Sequence, residues 1–267
     1  PYPSNPDFRI WQTLGWLTTT IYVIFIVLPM AALLIRGLQQ ETLFMSATSQ
    51  TALQAIKVSL ITSGSSMLVI IIICTPFAHL LAHNNSRFLK QIDVLVELPI
   101  LLPPVVAGVA MLMAFGRQGL LGQTLSELGI SIPFTTMAVI FAQIFVGAPF
   151  YIRAAKLGFQ AIPRSYQEVS HTLGKSPWKT FWLMTLPLAR TPLLTGLILA
   201  WARALSEFGA TIMFAGNLMG KTQTLPLAIM TTMEGSLDTA LALSVLLLIG
   251  ATLVLIMLSW ITHRRWQ

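Results

Sequence analysis

The chain has 267 residues, of which 55% are apolar and 9% charged, and its 16 Lys and Arg against 9 Asp and Glu give a formal net charge of +7. An ordinary soluble domain carries about 25% charged residues, so no water-soluble surface can be built from this composition. A mean hydropathy of +0.76 divides the length into apolar spans of about 20 residues rather than soluble domains of about 150.

The first apolar segment, 14–35, is longer than the core of a secretory signal and is not followed by a small-residue cleavage pattern, so it reads as a retained span. Further segments long enough to cross a bilayer as helices run over 58–82, 98–115, 134–152, 193–214 and 241–261. The expectation is an all-α integral membrane protein with six transmembrane helices. The third span is the least regular, because Pro99, Pro103 and Pro104 withhold backbone donors, and a kink or an interfacial lead-in helix is expected there. Trp11, Trp16, Trp260 and Trp266 flank the first and last spans, where amphipathic rings sit at headgroup depth. Cys74, the one cysteine, lies inside an apolar run and can supply neither a disulfide framework nor a zinc cluster within one chain.

Charge sets the orientation. Arg9, Arg87, Lys90, Arg153, Lys156, Arg164, Lys175, Lys179, Arg190, Arg264 and Arg265 fall on one side of the six spans, and Arg36, Arg117 and Lys221 on the other. Lys57 stands at a span entrance and Arg203 within a span. The positive-inside bias places both termini and the long fourth loop in the cytoplasm, so the net charge reads as topology and not as nucleic-acid binding.

That fourth loop, at about 155–190, has about forty residues between spans where packed helices usually need two to eight. Ser165 and Glu168 have capping-box spacing, Gly174 supplies a helix stop, and Ser176 followed by Pro177 supplies the next start. Two short helices meeting at a glycine are expected. With basic residues and the aromatics Tyr166, Trp178 and Phe181, such a pair either docks a soluble partner or lies along the membrane face.

The stretch EVSHTLGKSPWKTFWLMTLP resembles the EAA loop in permease subunits of binding-protein-dependent ABC importers, with Glu168, Gly174, Leu186 and Pro187 on the motif and Val169, Ser170 and Met184 departing from it. A second stretch, RALSEFGATIMFAGNLMGKTQTLPLAIM, is similar to molybdate and tungstate permeases, with Ser206 where a glycine is expected. The resemblance covers about 51–262, leaving 1–50 as amino tail and first span and 263–267 as a cytoplasmic tail. It implies a type I ABC importer permease fold in a prokaryotic inner membrane, and no catalysis by this chain. It also implies a coupling helix, involving Ser165, Glu168, His171, Gly174, Lys175, Pro177 and Pro187, that seats in a separate ATPase subunit. ATP and Mg²⁺ would then be bound by an ATPase subunit dimer. The remaining implied partners are a second permease copy, an extracytoplasmic oxyanion-binding protein and membrane lipid.

Residues 215–222, AGNLMGKT, fit a loose phosphate-loop pattern, but a membrane helix precedes them where a strand is needed and they lie on the side away from cytoplasmic ATP. Arg203 and Glu207 are four apart on one face of the fifth span, close enough to pair. They read either as an anion route, with Thr211 beside them, or as a structural pair pinning the helix. Gly196, Ala200 and Ala204 repeat every four residues, so another helix backbone can approach there. His79 and His83 are also four apart, near the cytoplasmic end of the second span, and lack the further ligands a metal would need. Molybdate or tungstate import is the function expected. Sulfate or thiosulfate import is the rival within the class. An ion-coupled secondary transporter would need inverted repeats and acidic relays, and a membrane enzyme a set of catalytic groups that is not found.

Overall fold

The computed structural model describes residues 6–84 and 86–263, with side chains described for 10–84, 86–170, 172–254 and 256. Arg264, Arg265 and Trp266, and the side chains of Arg9, His171 and Trp260, therefore lie outside the described residues. Every element among the described residues is helical. α1 (Pro6–Leu38) and the short α2 (Leu43–Ala47) lead to α3 (Gln50–His83), whose start is capped by the Ser49 side chain accepting the Ala52 amide. At 34 residues α3 is about 51 Å long, enough to cross a hydrocarbon core of about 30 Å with both ends beyond it.

α4 (Arg87–Leu101) and α5 (Pro104–Phe115) meet at a bend of 118°. Leu102, forced out of the helical region by the following proline, is extended at φ −72°, ψ 133°, and neither Pro103 nor Pro104 can donate across the break. α4 buries no residue and separates its apolar and charged side chains, and the bend after it is the kink that the prolines suggested. Its partner in the bundle is α7 (Thr136–Gln160), through an ion pair between Asp93 and Lys156. α6 (Gly122–Glu127) lies between α5 and α7 in the chain.

Beyond α7 come α8 (Arg164–Thr172), α9 (Pro177–Thr180), a π turn over Phe181–Thr185, α10 (Leu186–Leu188) and α11 (Arg190–Leu205). Leu186 N–H donates to the Phe181 carbonyl five residues back, a widening just before Pro187, which has no N–H to continue the ladder. The uninterrupted fifth span expected over 193–214 is not observed: the helix breaks at 206–208 and resumes as α12 (Gly209–Ala215). α13 (Leu225–Met233) and α14 (Leu237–His263) complete the chain. α1, α3, α7 and α14 are each long and apolar enough to cross alone, and six spans result when the bent pairs α4–α5 and α9/α10–α11 count as one each.

α7 is the hub, packed between α3 and α11. Lipid tails are as apolar as Leu, so these helices associate by close fit rather than by the hydrophobic effect. A Cβ on Gly196 would meet Ala154 Cβ at 2.7 Å, and one on Gly147 would sit 3.0 Å from the Ala200 carbonyl, so the small-residue stripe of α11 lies directly on α7. Buried hydrogen bonds fix the register. Gln143 donates to Thr62 Oγ1 at 3.2 Å and accepts from Ser66 at 2.9 Å, while Trp201 Nε1 donates to Ser63 Oγ at 3.0 Å. Each contributes about 0.6 kcal/mol in a membrane setting. α5 and α12 run side by side in the same direction, Gly209 against Pro104 and Gly108 against Ala210 and Met213, with either glycine's Cβ position within 2.7 Å of the facing helix.

Both described ends of the chain lie at the same end of the bundle as α8. Gln40, just after α1, donates to Asp238 in the first turn of α14 at 3.1 Å, so α1 ends where α14 begins. Leu225 N–H donates to Ser59 Oγ near the start of α3, at the same end. At the other end of α3, Gln167 of α8 meets His83. This arrangement agrees with the orientation read from the Lys and Arg distribution.

Candidate functional site

The α8–α9 loop is built as the sequence suggested, with one correction. α8 ends in a Gly174 held at φ +72°, and Lys175 N–H donates to the Ser170 carbonyl at 3.1 Å, the six-to-one bond of a Schellman stop. Ser176 Oγ accepts from Lys179 N–H at 3.3 Å and Pro177 occupies the first helical position. Ser165, however, is the second residue of α8 and not its cap: the helix starts at Arg164 behind Pro163, whose carbonyl already accepts the Tyr166 amide. The Ser165–Glu168 capping box does not form, and both side chains are exposed. Lys175, Pro177 and Pro187 are exposed as well, together with Tyr166, Val169, Leu173 and Trp178.

Three contacts that sequence reasoning missed stand at this end of the bundle. Ser170 Oγ and Thr180 Oγ1, both buried, are 2.8 Å apart, clamping α8 to α9, so the residue that replaces an alanine of the motif has acquired a partner across the turn. Gln167 Nε2 lies 2.9 Å from His83 Nε2, and His83 Nδ1 lies 3.0 Å from the His79 carbonyl. The carbonyl requires a proton on Nδ1, so Nε2 is the acceptor and Gln167 the donor. His79 and His83 have ring centroids 4.3 Å apart, and His79 is edge-on to Phe159 and Phe181 at 5.1 and 4.9 Å. Among the described residues no group of three or more metal-ligating side chains forms. The third contact, Asp93 with Lys156, braces α4 against α7 at the same end of the bundle.

The second candidate site is the break in the fifth span. Arg203 Nη2 and Glu207 Oε2 are 2.9 Å apart, an ion pair by distance, although no aligned hydrogen bond reaches that oxygen. Glu207 Oε1 accepts from Ala210 N–H at 2.8 Å, satisfying an amide left orphaned where α12 begins. Ser206, where a glycine was expected, is exposed and donates to the Arg203 carbonyl at 3.2 Å, so it crowds nothing beside Glu207. Glu207 and Thr211 are 1% and 0% exposed, and only Arg203 of the three reaches the surface of the single chain. The geometry thus gives Glu207 a structural task irrespective of any part in a path.

The 215–222 run has no phosphate-binding shape. The amides of Lys221, Thr222 and Gln223 all converge on the Leu218 carbonyl at 2.9–3.0 Å, so they point into their own loop, and α12 precedes them.

A multi-span helical bundle, with small-residue helix contacts inside and a folded, exposed two-helix loop at the end that holds both termini, defines a multi-pass membrane protein. The chain belongs to the family of binding-protein-dependent transport system inner membrane components, whose model matches residues 74–267. It is similar to a probable transport system permease protein NifC from Clostridium pasteurianum, 39% identical over 251 residues that cover 94% of this chain and 87% of that one. A molybdenum transport system permease protein ModB from Mycobacterium bovis is 38% identical over 234 residues, 88% of each chain. A sulfate transport system permease protein CysT from Synechocystis is 31% identical over 232 residues, 85% of this chain and 81% of that one. In structure the chain resembles a chain of a bacterial alginate ABC transporter, at a TM-score of 0.74 with 18% identity, covering 96% of this chain and 95% of that one. The protein is a multi-pass component of an inner membrane.

Proposed function

We propose that this chain is the channel-forming permease of an ATP-driven molybdate or tungstate importer, working as a pair of identical copies and performing no covalent chemistry itself. ATP and Mg²⁺ belong to a separate ATPase subunit dimer, which grips the α8–α9 loop, and an extracytoplasmic binding protein delivers the oxyanion. The observation that carries the coupling role is the Gln167–His83 contact at 2.9 Å. It joins an exposed docking element to the end of α3, and α3 runs the full depth of the bundle, so a displacement of α8 acts on a spanning helix through a hydrogen bond rather than through a slack loop. Tyr166, Val169, Leu173 and Trp178 offer the apolar surface that a soluble partner would cover. The choice of substrate rests on the 38% identity to the Mycobacterium bovis molybdenum permease against 31% to the sulfate permease, and on the 203–230 stretch. Arg203 then supplies positive potential along the path, with Glu207 and Thr211 behind it.

Purification of the intact complex from native membranes, with its mass measured, tests the assembly. Two copies of this chain with two ATPase subunits are expected. A chain that purifies without any nucleotide-binding partner, and transports without ATP, removes the proposal.

A further inference from the structure

At the end of the bundle opposite the α8–α9 loop, a cavity of about 780 Å³ opens between the turn after α5, the segment leading into α7 and the loop after α12. Arg117 lines it from the first of these and Lys221 from the last, and no Asp or Glu is among its lining residues. A smaller hollow of about 250 Å³ shares Lys221 and adds Lys57, again without an acidic side chain. The ion pairs among the described residues, Lys156–Asp93 and Arg203–Glu207, involve none of these three cations. Cations that line one mouth with no acidic side chain in its lining raise the local potential there, a field that draws anions inward.

The walls are rigid where the charge is mounted. Lys221 N–H donates into the Leu218 carbonyl at 3.0 Å and the Lys221 carbonyl accepts from Thr136 Oγ1 at 3.0 Å, so its backbone is held on both sides while its side chain is exposed. Gly216 and Gly220 take φ of +71° to make the loop, and a Cβ on Gly216 would press on the Phe134 ring at 3.0 Å. Gln118, Ser131 and Thr135 add neutral hydrogen-bonding side chains. The volume is far larger than one tetrahedral oxyanion, so it suits a hydrated anion attracted by the two lining cations rather than a dehydrated one in a tight cage.

We propose that this cavity is an oxyanion-collecting vestibule on the extracytoplasmic face, in which Arg117 and Lys221 receive the hydrated divalent anion before it enters the membrane. The location and cargo rest on the import reading above, and the vestibule's chemistry can be measured without transport. In a Cys74→Ser background, Ser131→Cys places a thiol on the exposed cavity wall. Its reaction rates with an anionic, a cationic and a neutral methanethiosulfonate reagent are compared in the full-length chain in nanodiscs. The anionic-to-cationic rate ratio should be about tenfold higher with both cations present than in Arg117→Gln/Lys221→Gln, with each charged rate normalised to the neutral reagent, whose rate follows the thiolate fraction alone. Arg117→Lys should keep the preference. Millimolar molybdate should slow the reaction more than chloride at matched ionic strength. An unchanged ratio in the double variant, or equal protection by chloride, overturns the vestibule; an intact preference in a complex that shows no ATP-dependent uptake supports it and removes the import reading instead.

Discussion

Gly174→Val isolates the coupling loop, because nothing lies within 4 Å of where its Cβ would stand and the whole effect must come from the backbone at φ +72°. An L residue in that left-handed region costs about 1–2 kcal/mol, with a β-branched one at the upper end. At 1.4 kcal/mol per factor of ten, the population of the docking-competent turn falls roughly 5- to 30-fold, and apparent affinity for the ATPase subunit falls with it. Loss of the Lys175-to-Ser170 bond would free the α8 carbonyl it now satisfies. Membrane insertion should be untouched, since the residue lies outside the spans. The assay is titration of purified ATPase subunit against the variant in nanodiscs, with uptake measured alongside. Gly174→Asn, which tolerates the left-handed conformation, should stay near wild type. Wild-type affinity and uptake in Gly174→Val would refute the coupling role of this turn.

Replacing Gln167 with Leu should leave ATPase binding intact but slow uptake severalfold, because the hydrogen bond to His83 goes while the exposed surface stays; parallel loss of binding would place Gln167 in the docking face instead. Arg203→Ala strands a buried carboxylate and should destabilise the protein by roughly 3–5 kcal/mol, whereas the double change with Glu207→Gln, which keeps an acceptor for the Ala210 amide, should recover much of it in thermal unfolding. If Arg203 also serves the anion path, uptake stays slow in that double variant although its heat stability has returned. In a Cys74→Ser background, cysteine at Lys175 should react only with reagents admitted to the cytoplasm and cysteine at Lys221 only from outside; the reverse would overturn the orientation.

Much of the loop was legible because its signals are local: a glycine that must turn left-handed, and Ser176 with Pro177 that must start a helix. The Ser165 cap failed because Pro163 sets the helix start two residues earlier, and a capping box is indistinguishable in sequence from a Ser and Glu three apart inside a helix. The break at 206–208 stayed hidden since Arg203 and Glu207 at four-residue spacing look the same in a continuous helix as across a break. Only the three-dimensional fold shows that Glu207 spends one oxygen on the Ala210 amide. Gln167 with His83, Ser170 with Thr180, and Arg117 and Lys221 lining one cavity come from segments whose juxtaposition no local pattern encodes. The prolines of 99–104 did announce the bend after α4, because a missing donor has the same consequence in any context.

The most direct test of the account is ATP-dependent uptake of labelled molybdate into proteoliposomes holding this chain, its ATPase subunit and its binding protein, with tungstate and sulfate as competitors. Uptake should require ATP and all three components, with tungstate competing strongly and sulfate weakly; competition by sulfate equal to that by tungstate would move the chain to sulfate import, and uptake unaffected by ATP depletion would contradict the account altogether.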